Sequence, residues 1–261
     1  MNFEKERKSL ILFTKVGAIV LSCFVLAVTS FRYGPETIET FCEQISEKEL
    51  PIYCVEKEQP QISLSFDAAW GNEDTSKILA VLKKHNVKAT FFMTGGWIEK
   101  YPEDVKSIAA AGHDLGNHSE NHKQMSKLSA EQCKEEILKP HEKVKTLTGK
   151  EMILFRPPYG DYNDNLIQVC REIGYYPIQW DVDSLDWKDY NADTIIRKVT
   201  EHKHLGNGSI ILCHNGAKHT AEALDQMITT LKAKGFTLVP ISKLILKSGY
   251  TINHEGRQVK S

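Results

Sequence analysis

The sequence predicts an α/β protein organised on a parallel sheet, and three observations carry that prediction. From Gln61 onward, seven short strand-like stretches alternate with helix-period stretches, the rhythm of strand–helix–strand units. Charged or imidazole side chains follow the apolar part of five of those stretches, at the strand end where α/β folds gather their sites. The chain has 261 residues with ordinary apolar and charged fractions. That is enough for one main domain of about 200 to 250 residues with a full core, its sheet either open or closed into a barrel.

The segment before that rhythm reads differently. Lys5, Arg7 and Lys8 precede an apolar run from Leu10 to Phe31, broken only by Thr14, Lys15 and small residues. The run is long enough to cross roughly 30 Å of hydrocarbon. Its flanking cations predict a cytoplasmic segment over residues 1–9 and a transmembrane signal anchor over residues 10–31. Lys15 snorkels to the cytoplasmic side, and the rest of the chain lies outside, held at the cell membrane by one pass. A cleavable signal peptide is the alternative, with Ala27, Val28 and Thr29 as a poor cleavage context.

Residues 32–59 contain Pro35 and Pro51, are closed by Pro60, and show no sustained period, so they read as a stalk. Cys42 and Cys54 lie in it and are candidates for pairing outside the membrane. Cys23 lies in the apolar run, whereas Cys133, Cys170 and Cys213 fall in helix or strand patterns and read as buried thiols. No zinc-site spacing exists among the six cysteines.

In the first strand, Ile62, Leu64 and Phe66 alternate with Gln61, Ser63 and Ser65, which predicts one buried face, and Asp67 stands at its tip. Ile78, Leu79 and Leu82 mark a helix face over 75–85. Residues 88–93 are a strand ended by Gly95 and Gly96. Residues 102–111 are a helix that Pro102 starts and Gly112 stops, and 113–117 are a third strand. A long helix over 129–147 is expected to kink at Pro140 and end at Gly149. Then come strand 152–155, helix 163–173, strand 175–180, helix 192–201, strand 208–213, helix 220–234 and strand 236–239. The folded domain is expected over 60–247, with a polar tail over 248–261.

A net charge of −1 and a pI near 6.8 leave no basic footprint for nucleic acid. The strand-end residues carry the chemistry instead. Asp67 ends the first strand, His118 and His122 follow the third, and Arg156 ends the fourth. Asp183, Asp186 and Trp187 follow the fifth, and His214 ends the sixth. Taken singly, each has an ordinary reading as a turn residue, a solvated helix face, a surface ion pair or a core histidine. Five at the same end of their strands point to a shared site. The spacing of His118 and His122 puts two imidazoles on one side of a helical turn, able to hold one divalent ion.

The stretches SFDAAWG, NHSENH, RPPYG, DSLDW and LCH, in this order, resemble the polysaccharide deacetylases of carbohydrate esterase family 4. The overall form resembles that of the membrane-anchored members of spore-forming bacteria. The resemblance covers about Gln61 to Lys247. It implies a distorted (β/α) barrel of about seven parallel strands. The activity implied is metal-dependent removal of acetyl groups from N-acetylated sugars in peptidoglycan or a chitin-like polymer. The cofactor implied is a divalent metal, Zn²⁺ foremost, and the partner a cell-wall polysaccharide.

By that resemblance His118 and His122 match the metal histidines, and Asp67 matches the catalytic base. Arg156 matches the arginine that keeps the base ionised. The Tyr159 main-chain N–H matches an oxyanion donor. His214 matches the acid that protonates the leaving amine, and Asp186 the carboxylate that orients it. Trp187 and Leu212 match apolar walls around the acetyl group and sugar.

One departure stands out. The family's base is usually followed by a second Asp that completes an Asp-His-His metal set, and here that residue is Ala68. Asp74 and Asp161 are the nearby substitutes from adjacent loops. Three readings follow: an active N-deacetylase of wall glycan, a glycan-binding member with weakened turnover, and a metal-dependent amidase acting on a non-sugar amide.

Overall fold

The computed structural model describes residues 49–261. The expected cytoplasmic segment, the anchor over 10–31 and the stalk up to residue 48, with Cys23 and Cys42, lie outside the described residues. Among the described residues no helix is long and apolar enough to cross a membrane.

The strands are β1 (Cys54–Val55), β2 (Gln61–Ala68), β3 (Thr90–Met93), β4 (Asp114–Asn117), β5 (Leu154–Phe155), β6 (Tyr176–Pro177), β7 (Val182–Asp183), β8 (Ile210–His214), β9 (Thr237–Leu238), β10 (Tyr250–Ile252) and β11 (Arg257–Lys260). Seven of them form a parallel sheet in the order β6-β5-β4-β3-β2-β8-β7, and β9 also pairs with β2. The first two residues of β2 pair with β9 and the next five with β8, so the longest strand binds three neighbours. The outer strands β6 and β7 are not paired with each other, which leaves the barrel distorted and open along one seam.

Local sequence explains the covering helices. Ser129 and Gln132 form a reciprocal capping box at the start of Ala130–Thr148, and Gly149 closes that helix in the left-handed region at φ 69°. Asn163 and Asn191 accept from the third residue after them and so start Asp164–Glu172 and Ala192–Thr200. One helix was not anticipated. Gly95 and Gly96 do not merely end β3: Thr94 Oγ1 accepts from Trp97 N at 3.2 Å and caps a short helix, Gly95–Lys100.

The alternation in β2 predicted one buried face, but from Ile62 to Ala68 both faces are buried. Ile62, Leu64, Phe66 and Ala68 join the large apolar cluster that includes Ile78 and Leu82 of Thr75–Lys84. Ser63 and Ser65 face the other way and satisfy their hydroxyls on Val239 O and Ile211 O, both at 2.7 Å. Small hydroxyls that find carbonyls can line a closed interior at little cost, so a polar row in sequence did not mean a wet one. β3 and β5 sort in the same way, since Phe91 and Phe155 belong to the large cluster and Phe92 and Leu154 to a second, inner one.

That inner cluster corrects two boundaries. It contains Ile52 and Val55, from the expected stalk, and Ile241, Leu244 and Ile245. β1 pairs in parallel with β11, and β11 in antiparallel with β10, so the expected polar tail over 248–261 is a hairpin locked to the start of the domain. Gln258 has no exposed surface, and its side chain donates to Leu246 O and accepts from Leu246 N, both at 2.7 Å. Cys54 is free and 4% exposed, a core thiol rather than half of a stalk disulfide. The expected strand over 175–180 is also two pieces. β6 ends at Pro177, the chain crosses to the other edge of the sheet, and β7 carries Asp183 toward Asp186.

The hairpin makes a testable claim. Gln258→Ala strands two part-buried main-chain groups of Leu246 at a cost of about 1 to 3 kcal/mol. The thermal midpoint should fall by about 2 to 4 °C for each of those kcal/mol. A melt identical to wild type would mean that residues 248–261 are the dispensable tail the sequence suggested.

Candidate active site

Strand register assembles the site. Asp67 is the register partner of His214 on β8 and of Phe92 on β3. Register partners in a parallel sheet point to the same face, so the carboxylate and the imidazole share one mouth of the barrel. Asn117 pairs with Phe155, which puts His118 and Arg156 side by side just past the ends of β4 and β5. The mouth is a cleft of about 450 Å³ lined by Asp67, Trp70, His118, His122, Tyr159, Gly160, Trp180, Asp183, Trp187, Leu212 and His214. Leu212 is 3% exposed and forms part of the floor, while Tyr159 and Trp187 stand half or more exposed at the rim.

Arg156 is not a surface ion-pair residue, because its guanidinium has no exposed surface. Nη1 donates to Asp67 Oδ1 at 2.7 Å, and Nη2 donates to Ser65 Oγ at 2.8 Å and Gln179 O at 3.2 Å. The Phe92 ring lies 4.2 Å from Cζ. Burial acts against an ionised Asp67, but the Arg156 charge and hydrogen bond outweigh it and hold the carboxyl below its ordinary value. Asp67 is therefore a carboxylate at neutral pH.

His214 is tuned in the opposite direction. Asp186, fully buried, accepts from His214 Nδ1 at 2.7 Å, from His214 N at 2.7 Å and from Thr220 Oγ1 at 2.6 Å. Burial alone would lower the imidazole pKa, but the Asp186 bond and charge, aided by Asp67 and Asp183, raise it above the usual histidine value. The cleft thus places a group whose ionised form is favoured beside a group whose protonated form is favoured, the pairing that acid–base catalysis uses.

His118 and His122 are brought together, but not by a helix. The first 3₁₀ turn begins only at Met125, and Ser119 and His122 sit at φ 67° and 53°. Side chains hold this loop. Asn117 Oδ1 accepts from Ser119 N, Ser119 Oγ accepts from His122 N, and both Glu136 carboxylate oxygens accept from Asn121. The rings meet edge to face with centroids 5.0 Å apart. His118 Nδ1 donates to Arg156 O at 2.7 Å, which leaves Nε2 as the basic nitrogen, 3.6 Å from Asp67 Oδ2. Burial keeps both rings neutral and pushes His118 down to about 4.

Two neutral imidazoles suit a divalent ion, but the donor set is incomplete. Ala68 is fully buried with its methyl in the large apolar cluster, so core packing fills the position of the usual third ligand. Neither substitute serves. Asp74 Oδ1 accepts from Gly216 N at 2.8 Å, and Asp161 accepts from Ser126 N and Oγ, both at 2.8 Å. Among the described residues no three His, Cys, Asp or Glu side chains are grouped to hold a metal. A catalytic Zn²⁺ normally has three protein ligands, and the described residues offer two at this site.

Trp70 and Trp180, to which no motif assigns a role, also line the cleft. Trp70 lies in the SFDAAWG stretch, and an aromatic three residues past a strand-end carboxylate was the available signal.

Buried neutral histidines set a pH limit on the fold. His118 and His113, whose Nδ1 accepts from Ala89 N, both have pKa values lowered from 6.5 to about 4. Between those values the unfolded chain binds more protons than the folded one. Stability is therefore full above pH 6.5 and lost as pH falls toward 4, by up to about 3 kcal/mol per histidine. Thermal melts between pH 7 and pH 4.5 should show this fall, and His113→Gln should shrink it. An equal fall in that variant would remove His113 from the account.

Comparison with known proteins agrees with this geometry. A polysaccharide deacetylase profile matches residues 55–178. A peptidoglycan-N-acetylglucosamine deacetylase of Bacillus cereus is 38% identical over 195 residues, covering 72% of this chain and 69% of that protein. The peptidoglycan-N-acetylmuramic acid deacetylase PdaA of Bacillus subtilis is 35% identical over 221 residues, covering 84% of each. Among solved structures, a family 4 pseudoenzyme from Bacillus anthracis matches with a TM-score of 0.72 at 31% identity, over 81% of this chain and 73% of that one. A mutant of that protein, described as having restored enzymatic activity, matches with a TM-score of 0.72 at 35% identity, over 76% of this chain and 71% of that one. With two curated relatives above 30% identity and more than two thirds of each covered, the chain belongs to the polysaccharide deacetylase family, carbohydrate esterase family 4.

Proposed function

We propose that the cleft acts on the N-acetyl groups of cell-wall glycan, peptidoglycan foremost, by hydrolytic deacetylation. The observation that carries this reading is the neighbouring pair Asp67 and His214, one paired with Arg156, which favours its ionised form, and the other bonded to Asp186, which favours its protonated form. Asp67 takes a proton from the water that attacks the acetamide carbon. His214 gives the proton on its other ring nitrogen to the departing sugar nitrogen as the C–N bond breaks, leaving acetate and a free amine. Tyr159, Leu212 and Trp187 line the same cleft; in this reading the Tyr159 main-chain N–H would meet the oxyanion, and Leu212 and Trp187 would keep water from the acetyl methyl.

A second reading has its own support. Ala68 leaves the metal donors two in number, and one structural neighbour is a pseudoenzyme, so glycan binding with little or no turnover is the alternative. Relatives named as deacetylases of both N-acetylglucosamine and N-acetylmuramic acid do not favour one sugar.

Ala68→Asp separates the two. In metal-free buffer the new carboxylate enters an apolar cluster, and the thermal midpoint should fall. With Zn²⁺ it should recover, and titration calorimetry should show a dissociation constant at least roughly tenfold lower than wild type, about 1.4 kcal/mol. Acetate released from peptidoglycan should rise in parallel. Wild-type protein that binds Zn²⁺ as tightly and releases acetate as fast would show that two histidines suffice. Binding of peptidoglycan with no acetate release from either protein would leave the binding reading alone.

We also propose that residues 10–31 anchor the chain in the cell membrane with the domain outside the cytoplasm, on the strength of Lys5, Arg7 and Lys8 before the apolar run. Protease added to intact protoplasts should digest the domain. Complete protection would place it inside and remove its access to wall glycan.

A further inference from the structure

The large hydrophobic side chains exposed among the described residues are Trp70, Leu138, Tyr159 and Trp187, and the three aromatic ones all line the catalytic cleft. Tyr159 and Trp187 already have places in the proposed chemistry. Trp70, 45% exposed, does not. Its indole lies on the imidazole of His214, with ring centroids 5.6 Å apart and planes 20° apart, an offset stack.

This stack is built rather than incidental, because the loop that carries Trp70 is fastened to the loop that follows His214. Asn215 N donates to Asp67 O at 2.9 Å, and Asn215 Nδ2 donates to Gly71 O at 3.2 Å. Asn215 Oδ1 accepts from Thr75 Oγ1 at 3.0 Å, and Asp74 Oδ1 accepts from Gly216 N at 2.8 Å. Trp97 Nε1 donates to Gly71 O at 2.8 Å from below. Gly216, at φ +89°, lets the indole come this close, since a Cβ there would lie 3.2 Å from Trp70 Cδ1. Four hydrogen bonds hold the two loops in one register and the bond from Trp97 supports the first of them, with an exposed aromatic ring as the part that reaches the site.

We propose that Trp70 is a positioning residue for His214. Asp186 fixes the imidazole at its Nδ1 edge, but one hydrogen bond to an edge leaves the ring free to tilt about it. The indole closes one face and removes that freedom, so Nε2 is held toward the cleft and the Nδ1–Asp186 bond is shielded from water. The other charged or titratable groups that line the cleft with His214 are Asp67, Asp183, His118 and His122, whereas the ring stacked on its face is that of Trp70. Asp74, which helps to fasten the loop, keeps one buried oxygen without a partner. The inference rests on the deacetylase reading only for its consequence, the direction of a proton toward a leaving amine.

The test is nuclear magnetic resonance of the ligand-free full-length protein labelled in its histidines, with His214→Gln to identify the signals. The His214 ring protons should be displaced upfield by the indole, and the Nδ1 proton should give a solvent-protected line. Trp70→Phe, which still stacks, should keep the protected line with a smaller displacement. Trp70→Leu should lose both, at an unchanged thermal midpoint as befits a half-exposed side chain. A displacement and a protected proton that survive in Trp70→Leu overturn the proposal. If that variant does not fold, a displacement in Trp70→Phe equal to wild type overturns it instead. The glycan reading fails separately: wild-type protein with displaced His214 signals that neither binds nor deacetylates peptidoglycan fragments leaves the positioning role standing. Protein that binds them with undisplaced signals removes it.

Discussion

A guanidinium with no exposed surface is tolerable only where a counter-charge and acceptors meet it in the right directions, and Arg156 is such a group. Satisfying it requires Asp67 and Ser65 from β2, the Gln179 carbonyl from the crossing that follows β6, and the face of Phe92 from β3. Its Nε remains without a partner, so the satisfaction is not complete and the pair is a cost as well as a tie. Removing one member of such a pair costs about 3 to 5 kcal/mol, because the other is left buried and unmatched. The same group of contacts therefore ties β2, β3 and the crossing after β6 together and keeps Asp67 ionised. Function and fold cannot be separated at this residue.

The two halves of the site differ in how far they are built. On the acid side, Asp186 collects three donors and its imidazole is seated from the edge and the face. On the base side, Asp67 has its cation and a neutral histidine 3.6 Å away. The metal donors stop at two, and the missing one is not an open gap that a water-filled site would leave. It is a fully buried methyl on the face of β2 that also carries Ile62, Leu64 and Phe66 into the apolar cluster. Proton transfer is provided for by the fold, whereas the electrophilic help that family members draw from a metal lacks a ligand here.

The inner end of the barrel shows how chain ends contribute to such a site. β1, the hairpin of β10 and β11, and residues 241–245 seal the interior with Ile52, Val55, Ile241, Leu244 and Ile245. With that end sealed by apolar packing, the polar residues at the strands' carboxyl ends are left to face the one mouth where solvent and substrate meet.

Much of this was legible in the sequence. The alternation of periods announced a parallel α/β sheet, and Asp67, His118, Arg156, Asp186 and His214 were all picked out because strand ends and short motifs are local features. The caps at Ser129, Asn163 and Gly149 were local in the same way. What sequence could not decide depended on partners far along the chain. Ser63 and Ser65 looked solvent-facing until Val239 and Ile211 supplied carbonyls, and residues 49–59 and 248–261 looked like stalk and tail until they paired across about two hundred residues. His118 and His122 kept their predicted proximity but lost their helix, because Glu136 and Ser119 hold a left-handed loop that spacing alone reads as a helical turn. The sequence determined which groups carry the chemistry, since side-chain identity is local. Their protonation, the filling of the third-ligand position and the ring that seats His214 were decided only by tertiary structure, since burial and charge depend on what the rest of the chain brings alongside.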